Sequence, residues 1–214
     1  MKIFLDSADI KQIKKWLPII SGVTTNPSIL EKDKGDPVEI GKLINPMPLS
    51  VEACGDFQTD AYYWVGKIPN AVIKIPLLGA NKSYDNMKLI KKLSDEGIPI
   101  NCTALFSLGQ IILAEKAGAR YVSLFAGRVD DEGGDSYRVI KDGMRYLEST
   151  DREHRAELIV GSIRTVGNVM EAFRAGADII TIPPPILEKM MNHEYSRKTV
   201  IQFEEAYGRI PKRN

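Results

Sequence analysis

Cysteine and histidine are scarce in this sequence, with two residues of each among 214. A protein zinc site usually takes three or four ligands from these residue types and carboxylates, and Cys54 and Cys102 show no ligand spacing. Both cysteines stand in apolar runs, so we expect two small core residues in a reduced compartment. The patterns G-x-G-x-x-G, G-x-S-x-G and the P-loop are also missing. The sequence therefore predicts neither a metal nor a cofactor.

An excess of one charge is also lacking, because 29 Lys and Arg residues face 28 Asp and Glu residues. Broad nucleic-acid or membrane-surface binding usually requires a clear basic excess, so neither partner is expected. No apolar run approaches the length of a membrane span. The opening MKIFLDSAD reaches Asp6 too early for a signal peptide. We expect a cytoplasmic protein whose two histidines, His154 and His193, lie on the surface.

Short β-branched runs alternate with longer amphipathic segments along the whole chain. Strand character is found in residues 2–6, 22–26, 49–54, 71–77, 99–105, 119–127, 157–162 and 177–183. Eight strands alternating with helices in a chain of this length favour a (β/α)8 barrel at the compact end of its size range. A doubly wound open sheet shows the same alternation and is the alternative.

Capping residues mark the ends of the clearest helical patterns, 84–97, 107–119 and 165–177. Glycines are expected as C-terminal caps and hydroxyl residues as N-caps; these are Gly97, Gly118 and Gly176, and Ser7, Ser107 and Thr165. Residues 28–48 are rich in proline, glycine and charge, so irregular structure is expected there. We interpret residues 1–214 as one barrel domain, with 195–214 as an extra C-terminal helix and tail.

One lysine stands inside an otherwise apolar run. In AVIKIPLL, residues 71–78, Lys74 interrupts a stretch that should be covered on both faces. The ordinary interpretation is a lysine whose stem packs while its head reaches water. The alternative is a buried lysine whose uncharged amine is nucleophilic. The run by itself favours the ordinary interpretation.

Polar residues recur where the predicted strands end. Their clustering favours the interpretation of Lys74 as a buried nucleophile. The carboxyl ends of barrel strands form the active site, and chance would distribute such residues over both ends. Each alone has an ordinary explanation as a helix cap or turn residue. The residues expected at this end are Asp6, Thr24, Thr25, Asn26, Glu52, Lys74, Asn101, Thr103, Ser123, Phe125, Arg128, Ser162, Arg164 and Thr181.

This set of side chains suits Schiff-base chemistry on a phosphorylated carbonyl compound. A neutral Lys74 amine would attack a ketone, and dehydration would give an iminium that accepts electrons from the adjacent carbon–carbon bond. Two separate carboxylates, Asp6 and Glu52, suit proton transfers at two places. The guanidinium groups of Arg128 and Arg164 match phosphate oxygens. The residues alone predict a Schiff-base lyase or transferase.

The order of the motifs resembles the transaldolase and fructose-6-phosphate aldolase family. The resemblance rests on FLDSADIKQIKKW, GVTTNPSIL, VIKIP, EGIPINCTALFS, AGARYVSLFAGRVDD, VGSIRT and AGADIITIP, which span most of the chain. It implies a (β/α)8 barrel that acts on sugar phosphates without a cofactor. It also implies that the Schiff-base lysine of the fourth strand is Lys74.

The resemblance further implies roles for the residues that match the family motifs. Asp6 would exchange a proton with the C4 hydroxyl of the substrate, and Glu52 with Thr103 would hold the water of carbinolamine dehydration. The residues implied to hydrogen-bond the dihydroxyacetone unit are Asn26, Asn101 and Ser123. Those implied to bind phosphate are Arg128, Ser162 and Arg164.

Two positions distinguish the activities within the family. Its aldolases have glutamine in place of Glu52 and tyrosine in place of Phe125, whereas this chain has the transaldolase residue at both. The resemblance thus implies transfer of dihydroxyacetone from sedoheptulose 7-phosphate or fructose 6-phosphate to glyceraldehyde 3-phosphate or erythrose 4-phosphate, in the pentose phosphate pathway. An aldolase releasing free dihydroxyacetone and a silent sugar-phosphate-binding barrel are the alternatives.

Three segments depart from the family pattern. They are LLGANKSYDNM after IKIP, the shortened connection between strands two and three, and PPPIL after the eighth strand. All are loops at the expected active-site end, so they bear on acceptor preference. Short family members form pentamers or decamers in which the C-terminal helix reaches a neighbour, and the resemblance implies a homo-oligomer of this kind.

Overall fold

A closed barrel of eight parallel strands forms the centre of the protein, with the strands in chain order. The structure is a computed structural model that describes residues 1–150 and 155–210. The strands are β1 (Lys2–Asp6), β2 (Gly22–Thr24), β3 (Leu49–Glu52), β4 (Ala71–Pro76), β5 (Ile100–Leu105), β6 (Tyr121–Phe125), β7 (Glu157–Gly161) and β8 (Ile179–Ile182). The pairing of β1 with β8 closes the barrel. The predicted (β/α)8 fold is confirmed, and the open-sheet alternative is wrong.

Helices surround the barrel and follow its strands. They are α1 (Ile10–Trp16), α2 (Pro27–Asp33), α3 (Pro37–Ile44), α4 (Phe57–Lys67), α5 (Asp85–Asp95), α6 (Leu108–Lys116), α7 (Ala126–Asp131), α8 (Ser136–Ser149), α9 (Val166–Arg174), α10 (Pro184–Met191) and α11 (Glu194–Gly208). Several predicted strands end one or two residues earlier than expected. The run 119–127 does so because α7 begins at Ala126.

The caps agree with the sequence in most places. All three predicted cap glycines have positive φ angles, between 81° and 90°, a conformation that glycine adopts without steric cost. Ser107 and Thr165 accept hydrogen bonds from helix backbone N–H groups as predicted. The assignment of Ser7 is wrong, because Asp9 caps α1 and the Ser7 hydroxyl donates instead to Asp33, at 2.8 Å.

The segment 28–48, expected to be irregular, contains two short helices. Pro27 and Pro37 stand in the first turns of α2 and α3, where a residue without an N–H group is tolerated. The side chains of Asn26 and Asp36 cap these helices. The prediction was wrong because proline begins these helices rather than breaking them.

The interior of the barrel is apolar near its base and polar above it. Phe4, Val72, Tyr121, Ile159 and Ile179 form a separate buried cluster inside the strands. Side chains two positions apart share one face of a strand, so the next residue above each of these also faces inward. Those residues are Asp6, Lys74, Ser123, Gly161 and Thr181. The base layer therefore closes the barrel below a polar layer.

The two cysteines differ in their surroundings. Cys102 is buried within β5, whereas Cys54 is exposed. The prediction of a core thiol is confirmed for Cys102 and wrong for Cys54, because β3 ends at Glu52 and Cys54 belongs to the connection to α4.

The last helix, α11, has all its residues exposed. It lies where the sequence predicts an extra C-terminal helix, and residues 211–214 of the expected tail are outside the described ranges. His193 is exposed just before this helix, as predicted, whereas His154 is also outside those ranges. Within residues 1–150 and 155–210, no helix combines the length and apolar character needed to cross a membrane.

Candidate active site

Lys74 is enclosed near the middle of the barrel. Lys74 is only 5% exposed, so the interpretation that its ammonium group reaches water is wrong. The ammonium donates to the Thr25 carbonyl oxygen, with an Nζ–O distance of 2.8 Å, and lies 3.3 Å from Glu52 Oε2. Register explains the second contact, because Glu52 and Lys74 are paired across β3 and β4. A buried amine next to a carboxylate can transfer its proton over a short distance.

A cavity of about 130 Å³ lies above Lys74 at the carboxyl end of the strands. The predicted residues that line it are Asp6, Thr24, Asn26, Lys74, Ser123, Phe125, Arg128, Ser162 and Thr181, and Gly161 lines it as well. The other predicted residues, Thr25, Glu52, Asn101, Thr103 and Arg164, are not among the residues that line this cavity. Of these, Glu52 and the Thr25 carbonyl oxygen contact the Lys74 ammonium, and Asn101 accepts a hydrogen bond from Ser123. The structure thus gathers residues from separate strands at one end of the barrel.

Asp6 lies at the end of β1 and lines the cavity with Lys74. Its Oδ1 accepts a hydrogen bond from Thr24 Oγ1 at 2.7 Å. Burial raises the pKa of the Asp6 carboxyl, although the Thr24 hydrogen bond and the charge of Lys74 oppose that rise. A carboxyl with a raised pKa accepts and returns a proton more readily than an ordinary aspartate.

Asn101 and Ser123 are joined in a buried chain of hydrogen bonds. The Ser123 hydroxyl donates to Asn101 Oδ1 at 2.7 Å, and Asn101 Nδ2 donates to Ser50 Oγ at 3.2 Å. Sequence analysis missed Ser50, although its place two residues before Glu52 on one strand was a usable signal. This chain fixes the orientation of the Asn101 amide beside Lys74, its register partner on β4.

Thr103 lies on an irregular part of β5. The register with β6 shifts between Cys102 and Leu105, and Ala104 has a φ of 56°, as in a bulge that redirects neighbouring side chains. The Thr103 hydroxyl is buried and lacks a hydrogen-bond partner among the described residues. A buried polar atom of this kind normally contacts water or a ligand.

Asn26 serves two roles at the end of β2. Its Oδ1 accepts a hydrogen bond from the Ile29 N–H, at 2.9 Å, and so caps α2. The same residue lines the cavity. The capping interpretation and the substrate-binding interpretation are compatible, because the cap occupies the oxygen and leaves the Nδ2 amide free to donate.

The cationic rim of the cavity is formed by α7 and the connection after β7. The Arg128 guanidinium stacks 5.3 Å from the centre of the Phe125 ring. Ser162 has a φ of 60°, a strained conformation for a residue with a side chain. A Cβ atom on Gly127 would lie 2.2 Å from the Ser162 carbonyl oxygen, so this close approach requires glycine. Arg128, Arg164 and the Ser162 hydroxyl are thereby brought together at one side of the cavity.

Arg164 pairs with Asp131, a residue that the sequence analysis did not identify. Its Nη1 and Nη2 both donate to Asp131 at the end of α7. The hydrogen bonds from Arg164 hold the pKa of the Asp131 carboxyl below its usual value. The residues are 33 positions apart, so only the fold shows this pair. In the described ranges, no group of three or more His, Cys, Asp and Glu side chains could hold a metal ion.

Comparison with known sequences agrees on one family. The family model described as Transaldolase/Fructose-6-phosphate aldolase matches residues 3–212. A protein of Nitrosopumilus maritimus (strain SCM1) named probable transaldolase is 37% identical over 227 residues, covering 100% of this chain and 98% of that protein. Another probable transaldolase, from Caldicellulosiruptor saccharolyticus, is 38% identical over 224 residues and is covered completely, as is this chain.

Solved structures share the barrel at low sequence identity. Thiamine phosphate pyrophosphorylase from Pyrococcus furiosus gives a TM-score of 0.58 at 14% identity, with 85% of each chain covered. A lactate oxidase of Pediococcus acidilactici gives a TM-score of 0.61 at 12% identity, with 86% of this chain and 62% of that chain covered. Likeness at this level shows the fold alone.

Proposed function

We propose that this chain, which belongs to the transaldolase/fructose-6-phosphate aldolase family, is a transaldolase that uses Lys74 as its Schiff-base nucleophile. The observation that carries the proposal is the Lys74 ammonium, 5% exposed and 3.3 Å from Glu52, in a cavity that it shares with Asp6. One buried amine therefore has one carboxylate in contact with it and a second one in the same cavity. The amine can form a covalent intermediate, and the two carboxylates can carry out the separate proton transfers that its formation and cleavage require.

The first half of the reaction attaches the ketose donor to Lys74. Glu52 takes a proton from the ammonium, and the neutral amine adds to the C2 carbonyl to give a carbinolamine. The C2 hydroxyl then leaves as water with a proton returned by Glu52, which forms the iminium. The buried Thr103 hydroxyl, without a partner among the described residues, supports a role in holding the water of this step.

The second half breaks and remakes a carbon–carbon bond. Asp6 removes the proton of the C4 hydroxyl, the C3–C4 bond breaks, and its electron pair moves into the iminium to form an enamine. The aldehyde product leaves and an acceptor aldehyde takes its place. The enamine attacks the new carbonyl carbon, Asp6 returns the proton to its oxygen, and hydrolysis of the iminium releases the product.

Substrate binding is assigned to two groups of residues around Lys74. Amide and hydroxyl groups would hold the dihydroxyacetone unit; they belong to Asn26, Asn101 and Ser123. The guanidinium groups of Arg128 and Arg164, with the Ser162 hydroxyl, would bind the distant phosphate of donor and acceptor, because guanidinium forks match phosphate oxygens. Sugar phosphates such as fructose 6-phosphate and erythrose 4-phosphate fit this arrangement, and the place of the enzyme would be the pentose phosphate pathway in the cytoplasm.

Phe125 supports transfer rather than simple cleavage. Its ring lies against Phe106, with 5.9 Å between ring centres, and offers the enamine a hydrocarbon surface in place of a phenol hydroxyl. An enamine without a nearby proton donor would persist until an aldehyde acceptor arrives. The aldolase alternative requires protonation of this enamine and release of free dihydroxyacetone.

The exposed C-terminal helix supports a homo-oligomer. Every residue of α11 is exposed, including Tyr195, Phe203 and Tyr207, which are each about 70% exposed or more. Large apolar side chains on one helix usually become covered by a partner. We infer that α11 packs on a neighbouring copy within a pentamer or decamer, and sedimentation of the full chain tests this directly.

Reductive trapping tests the nucleophile. Borohydride added with fructose 6-phosphate should leave a covalent adduct on Lys74 in peptide mass spectra, and Lys74→Met should lose both the adduct and roughly 10⁴-fold or more of the turnover. No adduct, or an adduct on another lysine, would contradict the mechanism. An assay with and without erythrose 4-phosphate identifies the activity, since a transferase turns over only with the acceptor and an aldolase releases dihydroxyacetone without it.

A further inference from the structure

Two buried threonines connect Asp6 to the strands on either side of it. β1 pairs with β2 on one side and with β8 on the other. Thr24 of β2 is 3% exposed and Thr181 of β8 is 6% exposed. Their hydroxyl oxygens are 2.5 Å apart, and Thr24 Oγ1 is also 2.7 Å from Asp6 Oδ1. The three side chains form one line of short hydrogen bonds at the wall of the cavity.

The direction of these hydrogen bonds follows from counting protons. A threonine hydroxyl has one proton to donate and an ionised carboxylate has none, so while Asp6 is ionised the Thr24 proton is used on Asp6 Oδ1. In its contact with Thr181, Thr24 must therefore accept. The order is Thr181 to Thr24 to Asp6, and each bond in such a chain strengthens the next by polarisation.

We propose that Thr181 is a positioning residue for Asp6: it acts through Thr24 to hold Oδ1 in place, so that Oδ2 is the oxygen that exchanges the proton with the substrate. A carboxyl group can rotate and present either oxygen, and a strong donor on Oδ1 removes that freedom. The inference rests on the proposed function, because it assigns the orientation of the acid–base group in that reaction.

Other charges also face Asp6 and are unchanged by a substitution at Thr181. Lys74 of β4 and Lys32 of α2 favour the ionised carboxyl, and Asp33 of α2 disfavours it. The raised pKa of Asp6 comes first from burial. A shift in the acidic limb of the rate profile on replacing Thr181 therefore reports the hydrogen-bond chain, because the burial and the neighbouring charges remain.

Two substitutions at position 181 separate the hydroxyl from the volume of the side chain. Thr181→Val keeps the shape and removes the donor, whereas Thr181→Ser keeps the donor and removes a methyl group. We expect kcat of the valine variant to fall about tenfold, the effect of one ordinary hydrogen bond, and its acidic limb to move to higher pH. The KM of the acceptor should stay within twofold, and the serine variant should resemble the wild type.

The outcomes are distinguishable from failure of the proposed function. If the wild-type enzyme forms no borohydride-trapped adduct on Lys74, the proposed function fails. If the wild type is active and the valine variant has the same kcat and pH profile, the positioning role is wrong. Equal damage in the serine and valine variants would also overturn it. Should the valine variant not fold, as judged by circular dichroism, Thr181→Ala compared with Thr181→Ser makes the same distinction.

Discussion

Asp131 accepts hydrogen bonds from both terminal nitrogens of Arg164 across the rim of the cavity. The pair joins α7 to the connection between β7 and α9. Both side chains are about half exposed. In the phosphate-binding role proposed for Arg164, Asp131 occupies the guanidinium edge that a phosphate would use. The carboxylate and the substrate would then compete for one cation.

Asp131→Asn should remove this competition. We expect the KM of a phosphorylated acceptor to fall about two- to fivefold, since an exposed ion pair contributes up to about 1 kcal/mol, with little change in kcat. Steady-state kinetics with erythrose 4-phosphate measures this. Asp142→Asn is the matched control, because Asp142 pairs with Arg138 and Arg145 on the outer helix α8. A higher KM in Asp131→Asn would show that Asp131 positions Arg164 instead.

Asp6→Asn should lower turnover and stabilise the fold at neutral pH. Loss of the acid–base group should reduce kcat by about 10² to 10⁴. Because the folded-state pKa of Asp6 is raised, the ionised carboxyl destabilises the native state at pH values above that pKa. Urea unfolding should therefore give the variant a higher midpoint than the wild type at pH 7.

The stabilising effect of Asp6→Asn should increase with pH. Below the ordinary pKa of an aspartate, near 3.9, the carboxyl is protonated in both the folded and unfolded states, and the variant should lose its advantage. The advantage should grow as the pH rises above that ordinary value and should be complete once the pH has passed the raised folded-state pKa. An equal difference in midpoint at all pH values would contradict the assignment.

Gly127→Ala should damage the phosphate side of the site. The new Cβ atom would lie 2.2 Å from the Ser162 carbonyl oxygen, so the connection that carries Ser162 and Arg164 must shift. We expect the KM of phosphorylated substrates to rise about tenfold, while borohydride still traps the adduct on Lys74. Gly66→Ala in α4, where nothing lies within 4 Å, is the control and should be neutral or slightly stabilising.

The two thiols should differ in reactivity. Cys102 is buried, and burial raises the pKa of its thiol to about 12, whereas Cys54 is exposed. A thiol reagent such as dithionitrobenzoate should label one cysteine per native chain and two in denaturant. Cys54→Ser should abolish labelling of the native protein. Rapid labelling of both thiols in native buffer would show that β5 opens.

Local sequence signals were reliable where the structure depends on neighbours along the chain. The positive φ angles of Gly97, Gly118 and Gly176 follow from the need to end a helix and turn into the next strand. Ser107 and Thr165 cap because each lies three residues from the backbone N–H it satisfies. Ser7 deviated because α1 begins at Ile10, so that Asp9 and not Ser7 stands at the N-cap position.

The sequence by itself determined the eightfold alternation and the place of Lys74 on the fourth strand, because strand periodicity and strand order are properties of the chain. Only the tertiary structure decided that Thr181 meets Thr24, 157 positions away, and that Asp131 pairs with Arg164. Closure of the barrel sets the first of these contacts, since β8 reaches β1 only when the sheet is complete. The second contact joins the segments that follow the neighbouring strands β6 and β7. Composition and spacing carry no record of these tertiary contacts, and the hydrogen bonds made by Asp6 and Arg164 depend on them.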